Sequence, residues 1–243
     1  MRVLVISDLH ANWPALEAVL DAESYDALVV CGDLVSYGPD PGEVVEFVRT
    51  HATLAIRGNH DHALATSTDC RCSPASRPLA LPTLACHATI LTEEQIRYLR
   101  RLPYTGSVKL EGYTYYAVHA SPRDRLYRYT LTPDAPDKHL AGQVQRVRAD
   151  FVLLGHTHLP MVRGVGFRLV VNPGGLGQPR DGDPRAPYAV IEDGRVLLRR
   201  LPYDIERTVK GLRALPLDRD VVEQLAAVLR HGRVPPNARE NPR

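Results

Sequence analysis

Five apolar runs in this chain break off into side chains that can hold metal or move protons. Val3-Leu4-Val5-Ile6 runs into Ser7-Asp8-Leu9-His10, and Leu28-Val29-Val30-Cys31 into Gly32-Asp33. Residues 53–56 run into Arg57-Gly58-Asn59-His60-Asp61, and Phe151-Val152-Leu153-Leu154 into Gly155-His156-Thr157-His158. Residues 113–118 end in His119-Ala120-Ser121-Pro122. In open α/β sheets, ligands bind outside the carboxyl ends of the strands. Each residue alone has an ordinary explanation. Asp8 could cap a helix, Asp33, Asn59 and Asp61 are turn formers, and a single strand-end histidine is commonly just a satisfied polar group. Those explanations would have to hold independently at five places.

Taken together, Asp8, His10, Asp33, Asn59, His119, His156 and His158 make a nitrogen–oxygen ligand set without thiolate. Such a set suits manganese, iron, cobalt, nickel or zinc better than a structural zinc–thiolate site does. Seven ligands exceed what one ion with an open position takes. They fit two ions that share a carboxylate such as Asp33. Two ions about 3.5–4 Å apart can hold a bridging hydroxide and grip both sides of an in-line displacement at phosphorus.

The elements that would position these ends follow from pattern. Residues 2–7, 27–31 and 53–56 read as strands, the first buried on both faces. Between them, Asn12 caps one helix with Pro14 in its first turn, and Asp40-Pro41 starts another. That order predicts right-handed crossovers and a parallel sheet. Residues 66–82, rich in Ser, Thr, Pro and Cys, read as a surface loop or lid, with helical turns allowed up to Ile90. Thr92-Glu93-Glu94-Gln95 is a capping box before another helix. Residues 108–118 form a hairpin about Glu111-Gly112, and 188–201 a second about Asp193-Gly194. A helix is expected over 137–148, one or two strands over 161–171, and helices over 205–212 and 218–229. Residues 231–243 read as a frayed tail. A parallel first half and a hairpin-rich second half fit two mixed β-sheets packed face to face with helices outside, an α/β four-layer αββα sandwich over 1–203, with 204–243 a helical extension packed on it.

Composition is that of a soluble globular protein: 44% hydrophobic, 24% charged, net charge +2. No apolar run approaches the roughly 20 residues that span a bilayer. The first residues turn polar too soon for a signal peptide, which makes the cytoplasm the expected compartment. Cys31 reads as a small buried hydrophobe. Cys70-Arg71-Cys72 with Cys86-His87 lacks usual zinc spacing and reads as free thiols in a loop. His51, His62, His87, His139 and His231 read as surface residues. Tyr127 and Tyr129 could stack a base, although a packed aromatic patch is the plainer reading.

Asp-x-His, Gly-Asp, Gly-Asn-His-Asp, a later His and Gly-His-Thr-His, in this order over 8–158, resemble the calcineurin-like metallophosphoesterase superfamily. Asn172-Pro173-Gly174 and the loop 178–183 resemble its small bacterial and archaeal phosphodiesterase branch. The resemblance implies the metallo-dependent phosphatase fold and specific roles. Asp8, His10, Asp33 and His158 would hold one ion, and Asp33, Asn59, His119 and His156 the other, manganese first among the candidates. His60 would donate a proton near the leaving group, oriented by a neighbouring carboxylate, and Arg57 would clamp phosphate. Arg123 and Arg180 lie in loops that could also reach substrate. The expected activity is hydrolysis of small phosphodiesters or phosphomonoesters, nucleotides among them. The run Gly32-Asp33-Leu34-Val35-Ser36-Tyr37-Gly38 departs from the phosphoprotein phosphatases. Ser36, where purple acid phosphatases carry tyrosine, departs from those. A binding scaffold like the retromer subunit of this fold is the rival reading, which loss of a ligand or of His60 would favour. A nuclease is the other rival. Near-neutral charge and a short C-terminal extension count against that one, so neither nucleic acid nor membrane is an expected partner. A homo-oligomer is left open.

Overall fold

The computed structural model describes residues 1–234. In chain order its elements are β1 (Arg2–Ile6), α1 (Trp13–Ala22), β2 (Ala27–Val30), α2 (Pro41–His51), β3 (Leu54–Ala55), α3 (Asn59–Thr66), α4 (Arg77–Ile90) and α5 (Glu93–Arg101). There follow β4 (Thr105–Leu110), β5 (Tyr113–Val118), α6 (Asp137–Val144), β6 (Phe151–Leu153), β7 (Met161–Val165), β8 (Arg168–Asn172), β9 (Ala186–Glu192), β10 (Arg195–Leu201), α7 (Ile205–Ala214) and α8 (Arg219–His231). Of the tail expected over 231–243, residues 235–243 lie outside the described residues.

Side-chain alternation sets the layers. Along β1, Val3 and Val5 face the second sheet, while Leu4 and Ile6 face the helices. Ala27 and Val29 on β2 alternate with Leu28 and Val30 in the same way. On the other side Tyr115, Ala117, Phe151, Leu153 and Val171 fill the space between the sheets, and Val118, Val152 and Val170 pack outward with Leu140 and Val144 of α6. The result is helices, two five-stranded sheets in the orders β10-β9-β1-β2-β3 and β4-β5-β6-β8-β7, then α6. Strands β1, β2 and β3 are parallel, as are β5, β6 and β8. Both sheets are mixed because β9 and β4 join antiparallel. Both hairpin turns put two residues at positive φ, Glu111-Gly112 at 46° and 84° and Asp193-Gly194 at 50° and 74°, which matches the strand twist.

The C-terminal helices close the helical layer, with Val209, Leu212, Val222, Leu225 and Val228 in the same core cluster as α1 and α2. Asn12 fastens them to the site end of β1. Its amide oxygen accepts from Ala15 N as the α1 cap and from Thr208 Oγ1 at 2.9 Å, while its Nδ2 donates to Gly177 O.

The region expected to be a loop over 66–82 differs. From Arg77 it is already helix α4, which runs on to Ile90. Pro82 sits inside α4, and the carbonyl it would have bonded one turn back is that of Pro78. The buried face of α4 (Leu79, Ala80, Thr83, Leu84, His87) explains why a helix wins over local turn composition. His87 is therefore no surface residue. Fully buried, it accepts from Ser36 N and donates to Gly38 O. Cys31 is buried as expected, Cys70 and Cys72 are free thiols in the loop before α4, and Cys86 lies on α4 instead of in a loop; all four are buried.

Candidate metal centre

Every strand-end residue singled out above except Arg57 converges at one end of the two sheets. Asp8 and His10 follow β1, Asp33 follows β2, Asn59 and His60 open α3, His119 follows β5, and His156 and His158 follow β6. All eight are at most 2% exposed. The donor atoms of Asp8, His10 and His158 lie within 4.8 Å of one another, and so do those of Asp33, His119 and His156. The two clusters touch. Asp33 Oδ2 is 3.3 Å from His119 Nε2 and 3.8 Å from His10 Nε2, and Asp8 Oδ1 is 3.3 Å from His158 Nε2 and 4.0 Å from His119 Nε2. Asn59 Oδ1 is 3.0 Å from both His119 Nε2 and His156 Nδ1.

The backbone is bent to achieve this. Asp8 (φ 53°), His10 (45°), Asp33 (56°), His156 (67°) and His158 (60°) are all left-handed. Such conformations cost non-glycine residues about 1–3 kcal/mol each and persist where surroundings enforce them. Here Asp61 is part of the enforcement. Its Oδ2 accepts from Asp33 N (2.8 Å) and Gly58 N (2.9 Å), and its Oδ1 from Leu34 N (2.8 Å). Asn172 pins the other turn, donating to Gly155 O and Thr157 Oγ1. Two glycines permit close approaches to the ligand carboxylates. A Cβ at Gly58 would stand 2.0 Å from Asp33 Oδ1, and one at Gly155 would stand 1.9 Å from Ser7 Oγ and 2.9 Å from Asp8 Oδ2.

The donor chemistry fits cations. The Nδ1 atoms of His10, His119 and His158 donate to the carbonyls of Val35 (2.9 Å), Cys31 (2.7 Å) and Gln178 (2.5 Å). Those bonds fix the tautomer and turn the Nε2 lone pairs inward. His10 Nε2 then faces His158 Nε2 at 3.2 Å, lone pair to lone pair. Asn59 commits its Nδ2 to Cys70 O (2.8 Å), so its oxygen, another acceptor, faces the histidines. A cluster in which carboxylate, amide and imidazole acceptors converge calls for positive charge. Burial drives the pKa values of His10, His156 and His158 well down and pushes Asp8 up to about 7. His119 is the exception. Against burial, the Asp33 carboxylate holds it up at about 9.

His60 lies at the edge of the cluster, its Nε2 4.0 Å from Asp33 Oδ2. Beyond that approach of Asp33, no carboxylate among the described residues hydrogen-bonds the His60 ring. Asp61 spends itself on backbone amides, and His60 Nδ1 is buried without a partner. Arg57 does not reach the cluster either. The residue is 6% exposed, and its guanidinium bonds to Arg100 O and Tyr104 Oη and lies 4.8 Å over the Tyr104 ring. It tethers α5 to the start of α3. Arg180 is the guanidinium beside the site. Held by Gln178 Oε1 (2.9 Å), it lies 5.9 Å from the Tyr37 ring and carries charge that bears on Asp8, His60, His156 and His158. Tyr129 stacks on His156 at 3.8 Å, which makes it a packed wall of the site.

Beside the site opens a groove of ≈ 1040 Å³. Arg123, Arg125, Arg128 and Lys138 line it against a single acid, Asp124, together with Tyr104 and Tyr127. His62 and Ser121 place its rim two residues beyond His60 and His119.

Comparison with known proteins agrees with the geometry. A crystal structure of a metallophosphoesterase from Sphaerobacter thermophilus superposes with a TM-score of 0.76 at 36% identity, covering 94% of this chain and 99% of that one. Phosphodiesterase YfcE of Escherichia coli is 24% identical over 206 residues, 79% of this chain and 88% of its own. The uncharacterized protein MJ0912 of Methanocaldococcus jannaschii is 28% identical over 231 residues, 86% of this chain and 91% of its own. The family model of the calcineurin-like phosphoesterase superfamily domain matches residues 1–193. With a metal-competent Asp/His cluster at the strand ends of an αββα sandwich, the chain belongs to the calcineurin-like phosphoesterase superfamily.

Proposed function

We propose that this protein is a dinuclear metal-dependent phosphoesterase that hydrolyses small phosphodiesters or phosphomonoesters. The observation that carries this reading is the pair of contiguous ligand sets with Asp33 Oδ2 between them. Asp8, His10, Asp33 and His158 would hold one ion, and Asp33, Asn59, His119 and His156 the other. The nitrogen–oxygen set admits manganese, iron, nickel, cobalt or zinc, and the family resemblance puts manganese first. When bound, the ions supply a hydroxide nucleophile and neutralise charge building on phosphorus.

The chain's own residues do the rest. The carbonyls of Val35, Cys31 and Gln178 keep three imidazoles aimed inward. His60, which burial lowers to about 4, is a neutral N–H donor near neutral pH, positioned to hydrogen-bond the leaving-group oxygen. Arg180 takes the phosphate-contact role that Arg57 cannot reach, since a guanidinium binds two phosphate oxygens at once. The basic groove with Tyr104 and Tyr127 favours substrates whose second ester substituent is itself anionic and aromatic, as in nucleotides. In keeping with that, a protein named bis(5'-nucleosyl)-tetraphosphatase, symmetrical, from Pectobacterium carotovorum is 35% identical over 111 residues, 42% of this chain.

Metal-stripped protein should hydrolyse bis-p-nitrophenyl phosphate only after manganese, nickel or cobalt is restored. His60→Ala should keep its metal and lose about 10²–10⁴-fold in turnover. No metal-stimulated hydrolysis across a panel of diesters, monoesters and nucleotides would leave a binding scaffold as the better account.

A further inference from the structure

The geometry points to a third metal site, built from His60, Cys70 and Cys72 and selective for a thiophilic divalent ion of the zinc and cadmium class. A ring nitrogen of His60 and both sulfurs lie within 4.8 Å of one another, all on buried residues. The dinuclear ligand set contains no sulfur, so the two centres sort ions by softness, with hard and borderline ions going to one and thiophilic ions to the other.

Three further features support the assignment. The sulfurs are 3.1 Å apart, too far for a disulfide bond of about 2.05 Å. Two thiolates each 2.3 Å from a tetrahedral ion stand about 3.8 Å apart, so the two sulfurs need to part by only about 0.7 Å to share one. The turn that brings the thiols together is built in. Arg71 between them is left-handed at φ 49°, and Asp69 holds its amide at 2.9 Å. Finally, His60 Nδ1 is buried and has no hydrogen-bond partner, although buried polar atoms are nearly always satisfied. With Nε2 turned to Asp33, Nδ1 is the nitrogen left for an ion. Two cysteines and one histidine leave a fourth position for water. Binding exchanges the two thiol protons for the ion and releases them to solvent.

The consequence reaches the neighbouring centre. An ion on Nδ1 fixes the His60 proton on Nε2, the nitrogen that faces Asp33. It would do the work of an orienting carboxylate at Nδ1, where no partner stands among the described residues. Only this consequence rests on the phosphoesterase reading, because the site itself is defined by its ligands.

The test is cadmium titration of the full-length, manganese-loaded protein in a non-thiol reductant, followed by thiolate-to-cadmium charge-transfer absorption and by elemental analysis. The expected result is one cadmium per chain with manganese retained, and an absorption band that saturates at one equivalent. Loss of one supporting group outside the coordination sphere costs metal sites about 10–100-fold, so Cys70→Ser/Cys72→Ser should abolish the band and weaken binding by more than about 100-fold. His60→Ala should keep a band but bind about 10–100-fold more weakly, and Cys86→Ser should match wild type. On wild-type protein, under conditions in which all three thiols of the cadmium-free protein are labelled, one equivalent of cadmium should shield Cys70 and Cys72, and not Cys86, from alkylation mapped by mass spectrometry. That readout needs no variant to fold. Absence of the band, an equal band in the double serine variant, alkylation unaffected by cadmium, or unchanged affinity in His60→Ala would each overturn the assignment. None of these readouts depends on hydrolysis, so a failed activity screen would leave the result intact.

Discussion

Replacing Asp61 tests whether the centre is held by its surroundings rather than by its ligands alone. Asp61 contributes no atom to either ligand cluster. Its two oxygens accept from the amides of Asp33, Leu34 and Gly58 at 2.8–2.9 Å in a fully buried setting. Burial and the Asp33 charge push its pKa up to about 6, and the backbone donors pull the other way. Asp61→Ala strands these three donors and the longer one from Val35 N at 3.4 Å. Each unsatisfied donor costs about 1–3 kcal/mol, and some relaxation or water entry is expected, so the variant should lose about 3–6 kcal/mol. That is a large share of a typical domain's stability of 5–15 kcal/mol. Asp61→Asn preserves shape and one acceptor oxygen but turns an NH₂ toward N–H groups. It should lose about 2–3 kcal/mol and still fold. Because the same amides set the left-handed turn at Asp33, the asparagine variant should also bind manganese about 10–100-fold more weakly. Urea unfolding and metal titration read the two effects separately. A variant within about 1 kcal/mol of wild type, with unchanged manganese affinity, would refute the idea that Asp61 positions Asp33.

Three further outcomes follow from the same geometry. Arg180→Ala should raise KM for phosphodiesters about tenfold or more with stability nearly unchanged, whereas Arg57→Ala should lower stability by about 1–3 kcal/mol through its lost Arg100 and Tyr104 contacts with KM unchanged, as kinetics and urea melts would report. In Gly155→Ala the new methyl collides with Ser7 Oγ and Asp8 Oδ2, so manganese binding should fail in a protein whose circular dichroism stays folded. Burial and Glu43 raise Asp40 to about 6, so between the ordinary carboxylate range and pH 6 the folded state holds a proton that the unfolded state has released, and stability falls as pH rises through that window. Asp40→Asn should therefore raise the melting temperature more at pH 7.5 than at pH 4, and an equal shift at both would contradict the assignment.

How much of this was legible in the sequence depended on whether the signal was local. Strand ends with unusual side chains are local, and Asp8, His10, Asp33, Asn59, His119, His156 and His158 all meet where the pattern expected them to. The hairpins were legible through Glu111-Gly112 and Asp193-Gly194 for the same reason. The direction Arg57 takes was not legible, because adjacency to Gly58 says nothing about where a long side chain turns; α5 offers Arg100 O, and the guanidinium goes there. Arg180 gains its place only once the loop after β8 folds against His158 through Gln178 O. Helix α4 was hidden by Pro78, Pro82 and Ser76, whose turn propensity is overridden by packing, and with it the burial of His87 was hidden too. Asp61 left a usable trace, as the acid three residues after a helix-starting Gly58. The pairing of Cys70 and Cys72 with His60, rather than with Cys86-His87, needed the tertiary structure.

The most direct measurement is anomalous diffraction from crystals of the manganese-loaded protein. Two peaks about 3.5–4 Å apart are expected, one among Asp8, His10 and His158, the other among Asn59, His119 and His156, with Asp33 bound to both. A single ion, or ions lying elsewhere while these side chains stay in place, would contradict the dinuclear account.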